Sequence, residues 1–399
     1  MAIPVLPTKP KATISLPSGF TFGEVLPAPR TSGAPTIPPS LGPLAAFVGN
    51  WAGSGFNTIF RPDNPETPTA PTLPIPVPTL DNILELNLTA DTLAFSPSLG
   101  IVPNRGSNTQ GDIRLNGIPY LQAVNDVTGG TPVGIHVEPG LWMIVPATNA
   151  PGEGVTIVRM ASIPHGTTIV AQGTSTSFAG APNIPTVDIT PFGTGGSQAA
   201  GATFPFQSQN AGNNATQRIP QDLSGIAITQ KMLDDPNSLL RDHISLQKII
   251  ATTQISISTS PSSPLFGGGT DNIAFLQGDA NANNPPGAPD ANAQSVLMSA
   301  TFWIETVEHT IVIPIFKPGQ DPLLIKAKEG LPGQVVPTFI VRPPIEITAP
   351  RTITFTSTQI QYSQIVNLNF NGLTWPHVSV STLVRSEAIP VPPSAWSTV

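Results

Sequence analysis

His136 in GIHVEPGLWMIVP (134–146) and His377 in LTWPHVSVSTLVR (373–385) are the residues of this chain best placed to do chemistry. They are two of only five histidines in 399 residues, and cysteine is absent, so disulfides, thiolate metal sites and cysteine nucleophiles are all excluded. Alternation along an extended strand puts His136 and Glu138 on one face and Ile135 and Val137 on the other. An imidazole with a carboxylate two residues away suits a metal ligand with its neighbour, or a polarised acid–base pair. The same spacing also fits a plain His–Glu pair at a strand end. In the second segment Trp375, His377, Ser379 and Ser381 share a face opposite Val378, Val380 and Val384. The valines call for packing partners, and the Trp/His/Ser face then lines either solvent or an internal cavity. If the fold brings both segments face to face, His136 and His377 point into one apolar cavity.

The remaining histidines carry less. His165 in ASIPHGTTIV reads as a hairpin-turn residue, His243 as a packed residue on a helix face, and His309 with Glu305 and Glu308 as a solvated strand face. No dinucleotide or phosphate glycine motif, no HExxH and no GxSxG elbow occurs, and the aspartates are too scattered for a paired-carboxylate site. Charged residues make up 10% and the net charge of −7 is spread without blocks, which leaves no basic track for nucleic acid. No run of about 18 apolar residues exists, so no transmembrane helix is expected. The proline-rich opening MAIPVLPTKPKATISLP reads as no signal peptide, the two Asn-x-Thr sequons at Asn87 and Asn214 as chance, and the compartment as cytoplasmic.

The elements that must position these residues are strands. Many short alternating runs are separated by turn signals drawn from 35 glycines and 48 prolines, a share below the roughly 25–30% of low-complexity chains. In 83–88, Leu84, Leu86 and Leu88 alternate against Glu85 and Asn87. Residues 41–47 form a helical turn before a strand containing Trp51, and one helix is expected over 236–250, capped by Asp235, with Leu239, Leu240, His243, Leu246 and Ile250 on its apolar face. The expected architecture is all-β, an antiparallel β-barrel or sandwich with one short helix and long Pro/Gly-rich loops. Residues 1–40 read as an extended arm, and 41–399 as a single domain with insertions around 174–250 and 279–294.

Four segments, in order, resemble the nitrobindin family of haem-binding, calycin-type β-barrels: LGPLAAFVGNWAGSGFNTIF (41–60), IHVEPGLWMIVP, VTIVRMASIPHGTTIVAQG and WPHVSVSTLVR. The first carries Gly49-Asn50-Trp51 and Gly53-Ser54-Gly55 followed by Thr58-Ile59, where the family has Gly-Thr-Trp and Gly-x-Gly. The resemblance covers about 110 residues and implies a calycin-like barrel holding ferric, five-coordinate haem b. It implies His377 as the iron ligand and His136 beside the porphyrin. Trp51, Gly55, Thr58, Ile59 and Trp142 would belong to the barrel wall or pocket. The implied chemistry is reaction with nitric oxide or peroxynitrite, as in a peroxynitrite isomerase, or weak peroxidase activity. Two other classes stay open: a barrel carrying a small apolar ligand such as a lipid or pigment without iron, and a structural or interaction protein presenting loops 174–222 and 279–294. Position 50 is Asn where the family has Thr, and FRPDNPETP replaces its acidic stretch.

Overall fold

The computed structural model describes Pro17 and residues 37–64, 66–69, 82–199, 201–260, 268–276, 292–331 and 333–396. Ten strands follow one another up and down: β1 (Gly49–Arg61), β2 (Ile83–Phe95), β3 (Ile113–Asp126), β4 (Val133–Val145), β5 (Thr156–Ile163), β6 (Thr167–Ala179), β7 (Lys248–Ser258), β8 (Gln294–Ile313), β9 (Arg351–Phe370) and β10 (Leu373–Arg385). Each pairs antiparallel with the next, and β10 returns to β1 in the register Trp51↔Arg385 to Thr58↔Val378, so the sheet closes on itself. Closure leaves no sheet edge to protect. The expected all-β antiparallel barrel is what the chain forms. Gly53 and Gly55 permit the closing seam, because a Cβ there would lie 1.8 Å from the Thr382 carbonyl oxygen and 2.0 Å from that of Val380.

Inside the barrel one end is plugged. A 3₁₀ turn, Gly42–Ala46, brings Leu44 and Phe47 over the opening, where Phe47 stacks on Phe95 at 4.8 Å and meets Trp142 edge-on at 5.6 Å. Trp51 donates from Nε1 to the Phe47 carbonyl at 2.6 Å, and its ring lies under the Arg385 guanidinium at 4.0 Å. Met298, Phe302, Ile255 and Ile257 complete this apolar end.

A second core lies outside the barrel. Residues 180–247 wrap across the outer faces of β1, β2, β8 and β10, burying Phe56, Phe60, Leu84, Leu86, Trp303, Val378 and Val380 against Ile184, Leu233, Leu240 and Ile244. The Leu84/Leu86 face therefore points out into this cover, while Glu85 and Asn87 face inward. A third core, with Phe316, Phe339 and Phe355, joins the long ends of β8 and β9 to a small sheet of Leu323–Lys326, Thr338–Val341 and Ile389–Pro390. Among the described residues no helix is long and apolar enough to cross a membrane.

Several expectations are corrected. Thr174–Ala179, expected at the start of an insertion around 174–250, continue β6 in register with β7, and the cover over the barrel begins after them. The helix expected over 236–250 is shorter, α2 (Ser238–Ile244), and a single α-helical turn outside that span, α1 (Gln230–Asp234), capped by the Thr229 hydroxyl, precedes it. Asp235 ends α1 instead of capping α2, and Leu246 and Ile250 are exposed. The β-branched run from Lys248 pairs with β8, and that ladder takes the chain out of the helix. Of the expected arm at 1–40, all but Pro17 and Ile37–Ser40 lies outside the described residues, as do positions 279–291 of the second insertion. His309, expected on a solvated face, is mostly buried against Phe339 at 5.0 Å and bonds Ser357 Oγ at 2.8 Å.

Between α2 and the barrel wall sits a buried polar group: Glu305 Oε2 accepts from Gln359 at 2.7 Å, while Glu305 Oε1, His243 Nε2 and Gln361 Oε1 have no partner among the described residues. Burial pushes the Glu305 carboxyl up to about 8 and the His243 imidazole down to about 4. Glu305 is neutral when folded and ionised when unfolded between about pH 4.5 and 8, so stability falls as pH rises through that window. His243 acts in the opposite direction, removing stability as pH falls from 6.5 to about 4. Glu305→Gln should therefore raise the unfolding free energy, measured by urea denaturation, on the order of a few kcal/mol at pH 8 and have little effect at pH 4.5. An equal change at both pH values would contradict the buried, neutral carboxyl.

Candidate functional site

Below the plug, strand alternation delivers a layer of polar side chains to the barrel axis. Glu138 on β4 is fully buried. Arg159 Nη2 on β5 donates to its Oε1 at 2.5 Å, and the Tyr120 hydroxyl on β3 donates to the same oxygen. Arg159 also donates from Nε to the Tyr120 hydroxyl oxygen at 2.8 Å and from Nη1 to Gln364 Oε1 on β9 at 2.7 Å. The guanidinium is flanked by the rings of Tyr120, Trp142 and Phe302, each centred 5.6–5.8 Å away. Burial alone would raise the Glu138 carboxyl, but the Arg159 charge and the His136 and Tyr120 hydrogen bonds outweigh it and hold the group at about 2. A second pair stands beside it. The Tyr362 hydroxyl donates to Asp91 Oδ2 at 2.6 Å and accepts from Gln122 Nε2 at 3.0 Å. Burial pushes the Asp91 carboxyl up, against the Tyr362 hydrogen bond.

This layer is the floor of a cavity of about 640 Å³ in the other half of the barrel, within the roughly 300–1,000 Å³ of small-molecule sites. Its walls carry His136, His165 and His377, the amides Asn57, Asn87, Gln122 and Gln364, and an apolar side of Ile59, Val124, Ile163, Val366 and Leu368. Arg61 and Glu85, paired at 3.0 Å, also line it. The cavity expected to be apolar is thus amphipathic. The reason is topological: β1, β2 and β10 turn their apolar faces outward into the 180–247 cover and their polar faces inward.

His377 is the most constrained wall group. Asn57 Nδ2 lies 2.8 Å from its Nε2 and donates to Ser379 Oγ at 2.8 Å, while Asn57 Oδ1 accepts from Asn87 Nδ2 at 3.4 Å. An amide NH₂ only donates, so His377 Nε2 accepts and the ring proton sits on Nδ1. Desolvation, reinforced by the nearby His136 and His165, pushes the imidazole down to about 3, so it is neutral across ordinary pH. His136, on β4, lies across the barrel from β10; its Nε2 is 3.3 Å from Glu138 Oε2, and its ring centre is 6.3 Å from that of His165.

Of the residues singled out in the sequence, His136, His377 and Ile59 line the cavity. Trp51 and Trp142 belong to the plugged end, outside the cavity lining. Thr58 is fully buried on the outward face of β1, its hydroxyl without a partner among the described residues. Trp375 leaves the His377 face at Pro376 and stacks on Phe370 at 4.6 Å, beside Phe60 and Phe206. Asn57, Glu138's partner Arg159, Tyr120 and the Asp91–Tyr362 pair were not singled out. For Asn57 the signal was available: counting by twos from Trp51 through Gly53 and Gly55 reaches Asn57 and Ile59 and skips Thr58.

The floor depends on the Arg159–Glu138 pair. Arg159→Ala should cost about 3–5 kcal/mol in chemical denaturation, because it strands a buried carboxylate. Arg159→Met with Glu138→Gln should recover a substantial part of that loss. A single-variant loss below about 1 kcal/mol would show that the pair does not carry the floor.

No protein-family model and no curated protein matches this sequence. Among solved structures, the chain is similar to one described as the crystal structure of Rv2717c from M. tuberculosis, 10% identical over 87% of this chain and 97% of that one, with a TM-score of 0.32. A superposition of that quality speaks to neither chemistry nor ligand.

Proposed function

We propose that the protein binds a small organic molecule inside the barrel, its polar end against the His377–Asn57–Ser379 wall and its apolar body against Ile59, Val124, Val366 and Leu368. The observation that carries this reading is the cavity itself: about 640 Å³ of interior space bordered by three imidazoles and several amides, whereas the opposite half of the same barrel is packed with aromatic rings. A barrel serving only as scaffold has no need to bury Asp91, Asn57 and Asn87 around an empty space, since each buried polar group costs free energy unless partnered. Binding of 1-aminoanthracene, a neutral aromatic probe that brightens in dry cavities, should be saturable. Val366→Trp, which fills the cavity from β9, should weaken it at least tenfold. Saturable binding that survives this substitution would place the probe elsewhere and remove the reading.

Haem b held through His377 is the second reading, favoured by a neutral imidazole facing a cavity of this size. The residues fit it only in part. A neutral imidazole is what ferric iron requires, but the Nε2 lone pair is taken up by the Asn57 amide, which must swing away for that nitrogen to reach a metal. No described group of three or more carboxylates or histidines is arranged for a bare metal ion. Bound haem would supply an iron centre for nitric oxide, peroxynitrite or peroxide, while this chain's part would be to offer the His377 imidazole once Asn57 releases it and to exclude water. Hemin titration should give a Soret band that His377→Ala abolishes and Asn57→Ala strengthens. A band unchanged in His377→Ala removes the haem reading and leaves the organic ligand.

A further inference from the structure

The floor of the cavity does more than close it. Glu138 Oε1 is fully engaged by Arg159 and Tyr120, and Arg159 is itself held by Gln364, so the carboxylate cannot rotate. Its other oxygen, Oε2, faces His136 Nε2 at 3.3 Å. An ionised carboxylate only accepts, so the imidazole donates from Nε2 and its lone pair sits on Nδ1. The one hydrogen bond described for the His136 ring is that to Glu138, and the ring lines the cavity. On the other wall the protonation is reversed in its use: His377 Nε2 accepts from Asn57, the one hydrogen bond described for that ring, and the proton is left on Nδ1. The cavity is thus bounded by a basic nitrogen on β4 and an N–H donor on β10, with β1, β2 and β3 between them on one side of the barrel.

We propose that His136 is a general base, oriented by Glu138, that removes a proton from an uncharged carbonyl compound with an acidic α-hydrogen bound in the cavity, while the His377 N–H meets the negative charge that develops on the carbonyl oxygen. The inference rests on the reading of the cavity as a site for an organic guest. The C–H bond breaks, the proton passes to His136 Nδ1, and the electron pair moves through the guest onto its oxygen as an enolate. Return of the proton to a neighbouring atom gives an isomer, so nothing is oxidised or reduced and no co-reactant is needed. A neutral imidazole donor adds no net charge that the dry site must stabilise before the reaction. Arg61, the one Arg or Lys among the described lining residues, is paired with Glu85, which leaves an anionic guest no unpaired guanidinium or ammonium. Glu138 is a positioning residue here, for it touches His136 and not the guest.

The reporter for this chemistry is 5-nitrobenzisoxazole, an uncharged carbon acid. A base takes its C–H proton as the N–O bond breaks, and the electron pair ends on a coloured phenolate oxygen. Uptake is measured by equilibrium dialysis and turnover by absorbance on the same protein. Saturable uptake with turnover is expected, and His136→Ala should lower kcat about 100-fold while uptake stays saturable. Glu138→Gln should lower kcat without raising KM. Because that variant strands Arg159, Glu138→Gln with Arg159→Met is read beside it, with far-UV circular dichroism confirming the fold. Uptake without turnover, or turnover that His136→Ala keeps and His165→Ala loses, overturns the base assignment and leaves the binding site standing. Failure of uptake removes the binding reading and the base with it.

Discussion

The ion pair of Arg159 with Glu138 at the centre of the barrel is the constraint on which the interior depends. Both groups are almost wholly removed from water, so each is tolerable only because the other, Tyr120 and Gln364 satisfy it. Replacing such a pair by apolar side chains is often neutral or stabilising, so its presence is poor evidence for stability. Its effect here is spatial. The guanidinium lies against the aromatic plug on one side, and the carboxylate presents an oxygen toward His136 on the other. One salt bridge therefore separates a dry, filled half of the barrel from an amphipathic, hollow half.

The outer cover sets the polarity of that hollow. A strand with water on its outer side tends to turn its apolar residues inward. When residues 180–247 bury the outside of β1, β2 and β10, the apolar side chains are drawn outward and the inner face is released to carry Asn57, Asn87, Glu85, Ser379 and His377. The insertion thus acts on the cavity without touching it, by taking up the hydrophobic surface of the wall.

How much of this was legible in the sequence follows from which forces are local. Period-two alternation gave the all-β class, with the choice of barrel over sandwich coming from the resemblance, and it put His136 and Glu138 on one face, because side-chain direction in a strand depends only on parity. Parity also identifies Ile59 as inward and Thr58 as outward, provided that the count starts at Trp51. It failed at Trp375, where Pro376 interrupts the strand and the ring joins Phe60 and Phe370 outside. Helical spacing over 236–250 was real but outweighed from Lys248 onward by pairing with β8, more than 50 residues away. The Arg159–Glu138 and Tyr362–Asp91 contacts join strands whose sequences carry no mark of each other, and the polarity of the cavity could not be foreseen without knowing that an insertion covers the wall.

The two imidazoles that first drew attention differ in the partner each is given, and the partner decides the chemistry. A carboxylate acceptor beside His136 holds its proton on Nε2 and leaves its lone pair on Nδ1. An amide donor beside His377 does the reverse. The His136 partner is an ionised carboxylate, whereas the His377 partner is a neutral amide and the ring is desolvated, so the His377 ring resists protonation. Identical side chains on opposite walls are thereby made unequal, one suited to accept a proton and one to donate a hydrogen bond. That inequality originates in second residues, Glu138 and Asn57, which strand parity fixes as firmly as it fixes the histidines.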